Sequence, residues 1–429
     1  METLAIKPLS APVDAEVRVP GSKSITNRAL LIAALANGTS VLHGALFSED
    51  TAVMADSLRR LGIPVAEDPA AERFVVHGRG GPEYIRTREA ELFVGLAGTA
   101  ARFLTALVAL GHGRYLLDGT PRMRERPMRP LLGALNALGA QARSLPGTGS
   151  FPIEVTADGL EGGRVRMPGS QSSQFFSALL LVGPLTRRGL EIVVEGDLVS
   201  QPFIDLTAAV MADFGVQISH QDYRHMCVPG GQAYRAREYA IEPDASTAGY
   251  FFAAAALTGG RVRVPGLGTR SVQGDLGLLT LLERMGCTVR RAPDGIEVSR
   301  EPSGRLQGVD ADLNAISDMA QTVAALAPFA EGPTVLRHLA HTRLQETDRL
   351  AAVATELRRL GQEVEEFPDG LRITPRPVRS ADIRTYGDHR MAMAFALVGL
   401  RAPGIRIEDP GCVRKTFPDY WERLASLRR

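Results

Sequence analysis

The sequence predicts an α/β protein assembled from six copies of one β-α-β-α-β-β unit, and three observations carry the prediction. A small polar start followed by an Ala/Leu-rich run occurs six times: at Gly21 (GSKSITNRALLIAAL), Gly98 (GTAARFLTALVAL), Gly169 (GSQSSQFFSALLLVG), Asp244 (DASTAGYFFAAAAL), Asp318 (DMAQTVAALAPFA) and Asp388 (DHRMAMAFALVGL). These starts lie 70 to 77 residues apart, a period that marks repeat architecture. A second, amphipathic run keeps the same beat. It ends in a glycine (Gly62, Gly139, Gly215, Gly286, Gly361) and leads into a β-branched stretch, as in SLRRLGIPV and LRRLGQEV. Connecting segments such as EVRVPGS, GRVRMPGS and RVRVPGLG read as strands running into turns.

Each element follows from its residues. Gly, Ser, Thr and Asp cap helix N-termini, because a short polar side chain accepts from the unpaired N–H groups of the first turn. An almost wholly apolar run after the cap is a helix buried on most sides. A glycine after Leu, Met or Phe ends the second helix in the left-handed conformation, and the Val and Ile beyond it favour a strand. The final copy is cut short at WERLASLRR.

Composition limits the function. The 429 residues are 45% apolar and 23% charged with a net charge of +1, an ordinary globular balance without the basic field that broad nucleic-acid binding needs. Three cysteines, Cys227, Cys287 and Cys412, stand in no metal-like spacing, which points to a reducing compartment. METLAIKPLS lacks the order of a signal peptide, and no apolar run reaches the roughly 20 residues of a membrane span. The reading is a cytoplasmic protein. GxGxxG, HExxH, paired CxxC and GxSxG are all missing, so no cofactor or metal is expected and the chemistry rests on acid–base groups and electrostatics.

Several starts carry more than a cap. Lys23, Ser24 and Arg28 lie in the first two turns of the first helix, where cations oppose the helix dipole and an anionic ligand explains them better than stability does. Gly98 and Thr99 precede Arg102, and Arg122, Arg124 and Arg126 surround Glu125 between two prolines. Both segments read either as plain structure or as an anion clamp. Ser170, Ser172, Ser173 and Gln174 form a neutral hydrogen-bonding set, and Asp318 reads either as an N-cap or as a general base. Arg343, Glu346, Asp348 and Arg349, then Asp388, His389 and Arg390, then Arg414 and Lys415, sit beside repeat boundaries. The start at Asp244 carries no such signature and reads as structural.

The segments PGSKSITNRAL, AGTAARFL, PRMRERP, SSQFFSALL, ETDRL, DHRMAM and KTFPDYW, in this order and spanning nearly the whole chain, closely resemble the 5-enolpyruvylshikimate-3-phosphate synthase family of enolpyruvyl transferases. The resemblance implies a two-lobed inside-out α/β barrel with three repeats per lobe. Residues 1–20 and 240–429 would form one lobe and 21–239 the other, with the active site in the cleft between them. It implies transfer of the enolpyruvyl group of phosphoenolpyruvate to the 5-hydroxyl of shikimate 3-phosphate on the route to chorismate, and a target for glyphosate. By motif, Lys23, Gly98, Arg122, Gln174, Arg349, Arg390 and Lys415 are similar to the phosphoenolpyruvate set. Lys23, Ser24, Arg28, Ser172, Ser173, Gln174, Ser200, Asp318, His341 and Gln345 are similar to the shikimate-3-phosphate set. Asp318, Glu346 and Lys23 take the catalytic places, Asp318 as acceptor of the hydroxyl proton and Glu346 as handler of the methylene proton. His341 and Gln345 stand where many relatives carry Asn and Lys; Leu96, Phe103 and Phe203 are further departures. The family implies a monomer acting on small molecules alone. The sister transferase that uses UDP-N-acetylglucosamine is disfavoured, because DGTPRMRERPM lacks its loop cysteine; an RNA 3′-phosphate cyclase is disfavoured by the net charge.

Overall fold

Twelve α-helices form in the computed structural model, which describes residues 2–80 and 85–428, and they alternate between two kinds. The first kind is α1 (Lys23–Leu35), α3 (Gly98–Val108), α5 (Ser173–Val182), α7 (Ala245–Thr258), α9 (Ala320–Leu326) and α11 (His389–Gly399). These are the apolar runs of the repeat, and they are buried nearly all round: every residue of α3, α9 and α11 is inside. The second kind is α2 (Glu49–Arg60), α4 (Arg129–Ala137), α6 (Pro202–Asp213), α8 (Gly277–Arg284), α10 (Arg349–Arg359) and α12 (Tyr420–Ser426). These helices bury one side. The glycines that follow α2, α4, α6, α8 and α10 have φ of +84°, +107°, +88°, +98° and +86°, the conformation in which a Cβ is unwelcome.

The starts are built as caps in four cases. The side chains of Ser22, Ser172, Asp244 and Asp388 accept from the backbone N–H groups of Ile25, Gln174, Thr247 and Arg390. The other two differ. Helix α3 begins at Gly98 with no side-chain cap. Asp318 sits inside a 3₁₀ turn, Ser317–Met319, that leads into α9; its carboxylate goes to arginines, described below, and not to the helix it precedes.

Strands follow one plan. In five four-stranded sheets the first strand runs parallel to the second, and the third and fourth are antiparallel to their neighbours. Glu89–Phe93, His112–Asp118, Ile153–Asp158 and Gln141–Ser144 are one example, in spatial order. The sixth copy keeps three strands: Ala381–Ile383 runs parallel to Ile405–Glu408, and Thr3–Ile6 closes the other side antiparallel. The first strands of two copies are exchanged. Val13–Glu16, which precedes α1, pairs with Gly260–Pro265; Glu238–Ala240, which precedes α7, pairs with Asn37–His43.

The exchange divides the chain into two compact units, Met1–Pro20 with Glu242–Arg429, and Gly21–Ile241. Each has its own apolar core. In the continuous unit α1, α3 and α5 pack together, and in the discontinuous one α7, α9 and α11 do so. Small side chains make this possible: Ala253, Ala254, Ala255 and Ala256 of α7 are fully buried. Each large aliphatic side chain added around such a trio contributes about 1.5–3 kcal/mol. No described helix is long and apolar enough to cross a membrane.

Candidate active site

In the discontinuous unit, the starts of α9, α10 and α11 meet through charge. Arg349, the first residue of α10 and 3% exposed, lies at the centre. Its Nε donates to Asp388 Oδ2 at 2.7 Å, Nη1 to Asp318 Oδ1 at 3.0 Å and to the Gln345 side-chain oxygen, and Nη2 pairs with Glu346 Oε2 at 2.9 Å. Arg390, on the first turn of α11, donates from Nη2 to Asp318 Oδ2 at 2.7 Å. Lys415 Nζ lies 3.2 Å from Glu346 Oε1. Three cations therefore face the carboxylates of Asp318, Glu346 and Asp388, all largely out of water. Burial opposes the charge on Arg349, but Asp388, Glu346 and Asp318 outweigh it and hold the guanidinium above its ordinary range. Arg390 is held up in the same way by Asp318 and its neighbours, against burial.

His341 belongs to the same neighbourhood. It is 5% exposed, and burial pushes its imidazole down to about 4, with Asp318 opposing that and Arg349 adding to it. At neutral pH it is an uncharged hydrogen-bonding group. Gln345, the residue that ends the five-residue 3₁₀ turn Ala340–Leu344, contributes an acceptor to Arg349 and no charge.

The continuous unit holds its basic groups differently. Lys23 opens α1 and its Nζ stands 3.4 Å from Asp50 Oδ2 of α2. Arg28, one turn on, is 1% exposed. Its guanidinium bonds Thr207 Oγ1 at 2.8 Å, the Ser24 carbonyl at 3.0 Å, Ser177 Oγ at 3.1 Å and the Phe203 carbonyl at 3.3 Å. It lies between the rings of Phe103 and Phe203, 5.2 and 5.9 Å from their centroids. Every one of these groups is neutral, and burial pulls the guanidinium down to about 9. Gln174 Nε2 reaches Thr99 Oγ1 at 3.4 Å, which links the starts of α5 and α3. Ser172 caps α5, Ser173 is buried beside it, and Ser200 adopts φ +53° just before α6.

The three arginines of PRMRERP separate sharply. Arg122 pairs with Glu125 at 2.7 Å with about a third of its side chain in water, and Arg124 pairs with Asp118. Arg126 is 5% exposed, and its guanidinium covers Gly98: a Cβ built on that glycine would lie 2.6 Å from Nη1. The close approach of backbone at Gly98 is therefore made first by Arg126. Three arginines in alternation cannot be ranked by residue type; burial ranks them. A second group that the residues alone did not mark is Asp275, in a 3₁₀ turn Gly274–Leu276 ahead of α8. It is 6% exposed, and Ser246 Oγ at the start of α7 donates to its Oδ2.

Chemically, the first cluster combines carboxylates that can take or return protons with cations that stabilise anions. The second offers buried donors at helix starts. Two such clusters on a sixfold βα repeat define the class: an α/β protein equipped for acid–base and electrostatic chemistry on small anions.

Comparison with known proteins makes that particular. The sequence model of the family described as EPSP synthase (3-phosphoshikimate 1-carboxyvinyltransferase) matches residues 8–424. The 3-phosphoshikimate 1-carboxyvinyltransferase of Trichormus variabilis is 52% identical over 427 residues, covering 100% of this chain and 99% of the relative. That of Escherichia coli is 46% identical over 429 residues, with the same coverage of both chains. The solved EPSP synthase of Acinetobacter baumannii superposes with a TM-score of 0.82, covering 100% of this chain and 98% of that one, at 24% identity; this likeness speaks for the fold. The chain belongs to the EPSP synthase family.

Proposed function

We propose that this protein transfers the enolpyruvyl (1-carboxyvinyl) group of phosphoenolpyruvate to the 5-hydroxyl of shikimate 3-phosphate and releases phosphate, a step toward chorismate and the aromatic amino acids. One arrangement supports the reading most: Asp318 and Glu346 are tied to the same guanidinium, Arg349, while one also engages Arg390 and the other Lys415. The reaction needs two carboxyl groups with opposite tasks in a strongly cationic setting. Protonation of C3 of phosphoenolpyruvate makes C2 electrophilic, and Glu346, bonded to the Lys415 ammonium, manages that proton. The 5-oxygen attacks C2 as Asp318 takes the hydroxyl proton, giving a tetrahedral intermediate. Loss of phosphate and of one C3 proton restores the double bond, and in the balance the hydroxyl proton ends on phosphate.

The substrates are anions whose phosphates are ionised near neutrality. We assign Lys23, Gly98, Arg122, Gln174, Arg349, Arg390 and Lys415 to phosphoenolpyruvate. Lys23, Ser24, Arg28, Ser172, Ser173, Gln174, Ser200, Asp318, His341 and Gln345 go to shikimate 3-phosphate. Arg126, buried against Gly98, lies beside that set. We read the enzyme as a cytoplasmic monomer that engages neither nucleic acid nor membrane.

The test is phosphate release from phosphoenolpyruvate by the whole protein, with shikimate 3-phosphate and then UDP-N-acetylglucosamine as acceptor. Release with the first acceptor and none with the second is expected. Silence with shikimate 3-phosphate overturns the assignment.

A further inference from the structure

Asp318 has a difficulty as a proton acceptor, and the structure holds an answer to it. Two guanidiniums bind its two oxygens, and cations beside a carboxylate weaken its affinity for a proton. A compensating negative charge on a neighbouring element restores that affinity.

Asp275 is placed to supply it. Its turn is fastened to the start of α7: Gln273 Oε1 accepts from Ala245 N at 3.0 Å, and Ser246 Oγ donates to Asp275 Oδ2. The same stretch touches the turn that carries Asp318. A Cβ on Gly277 would meet Ile316 Cγ2 at 2.9 Å, and one on Gly249 of α7 would meet Met319 Sδ at 3.0 Å. Asp275 is thus held against the elements on either side of Asp318. Its other oxygen, Oδ1, is buried with no hydrogen-bond partner, as suits a carboxyl that alternates between neutral and charged forms. The charged and polar groups facing it are Asp318 from the turn before α9, Arg390 from α11, and Asp244 and Ser246 from the start of α7. Burial first, then Asp318, push the Asp275 carboxyl up to about 7, against Arg390 and Ser246 and with Asp244.

We propose that Asp275 is a positioning residue for Asp318: a buried carboxyl that is neutral in mildly acidic solution and, once it gives its proton to solvent, strengthens Asp318 as acceptor of the substrate hydroxyl proton. Coulomb coupling is reciprocal, so the charge that disfavours ionisation of Asp275 beside Asp318 also raises the proton affinity of Asp318 when Asp275 is ionised. The proposal rests on the function given above, and wild-type phosphate release checks that function separately.

The experiment is kcat for phosphate release across pH 6 to 8.5 in wild type and Asp275→Asn, each at saturating substrates. The ratio of the two rates cancels the titration of the substrates' own phosphates. The ratio is expected to rise from near one at pH 6 to about tenfold at pH 8.5, with both KM values within about twofold. A ratio that does not change with pH, whatever its size, overturns the proposal, because a purely structural role costs activity at every pH. Ser246→Ala provides a second reading that leaves the carboxyl in place. Loss of the donated bond disfavours the ionised form, so the rate's rise with pH shifts to higher pH. An unshifted profile in Ser246→Ala counts against the proposal even where Asp275→Asn fails to fold.

Discussion

Two buried arginines in opposite surroundings teach how one repeat serves two purposes. Arg28 in the continuous unit and Arg349 in the discontinuous unit are both almost wholly removed from water. Arg28 is held by hydroxyls, carbonyls and two aromatic faces, and burial alone pulls it to about 9. Arg349 is held by three carboxylates that overcome the same burial. A guanidinium among neutral groups keeps its positive potential available to an incoming anion. One among carboxylates is spent on orienting them, and its site becomes a place for moving protons. On the proposed assignment the continuous unit contributes receptor groups, and the discontinuous one joins anion-binding cations to the acid–base centre.

The strongest test of that division is Asp318→Ala. It is expected to lower kcat by about 10³-fold while shikimate 3-phosphate still binds; loss of binding with an intact kcat erases the distinction. Next comes the paired comparison of Arg349→Met and Arg28→Met by urea unfolding. Removing Arg349 leaves three carboxylates facing two cations and costs about 3–5 kcal/mol. Removing Arg28 strands only neutral acceptors and costs about 1–3 kcal/mol. Equal costs break the comparison. Gly98→Ala sharpens the receptor side: the new Cβ displaces the Arg126 guanidinium, and KM for phosphoenolpyruvate rises by about tenfold while KM for shikimate 3-phosphate changes little. The smallest effect belongs to His341. Its folded value of about 4 lies below the ordinary 6.5, so its contribution to stability is full above pH 6.5 and is lost as pH falls toward 4. His341→Gln flattens that part of a stability-against-pH curve.

What the sequence made legible was what repeats. Periodic apolar runs and the five terminating glycines, Gly62 to Gly361, carry their own physical cause, and six copies reinforce one another. The sixth copy was readable as truncated, and its sheet does hold three strands. The exchange of Val13–Glu16 and Glu238–Ala240 was not readable from pattern, because each strand sits before the right kind of helix and only pairing reveals its sheet. Candidate site residues were legible where charged side chains stand beside repeat boundaries, as at Asp318, Arg349 and Arg390, which the structure brings together. The burial of Arg126 and the tie of Asp275 to Ser246 carry no such signal. Asp244 caps α7, as its sequence indicated. One residue further on, the same helix start fastens Asp275, which no motif announced.

The strand Thr3–Ile6 pairs with Ile405–Glu408, with Thr3 opposite Glu408. During synthesis a ribosome releases this strand long before it makes the partner, whereas the sheets of the Gly21–Ile241 unit are complete once Glu238–Ala240 has been made. Chains grow at about 5–20 residues per second and domains tend to fold as they appear. The receptor half is then assembled while the acid–base half still waits for its last strands, and for that interval Thr3–Ile6 is without the strand it pairs with.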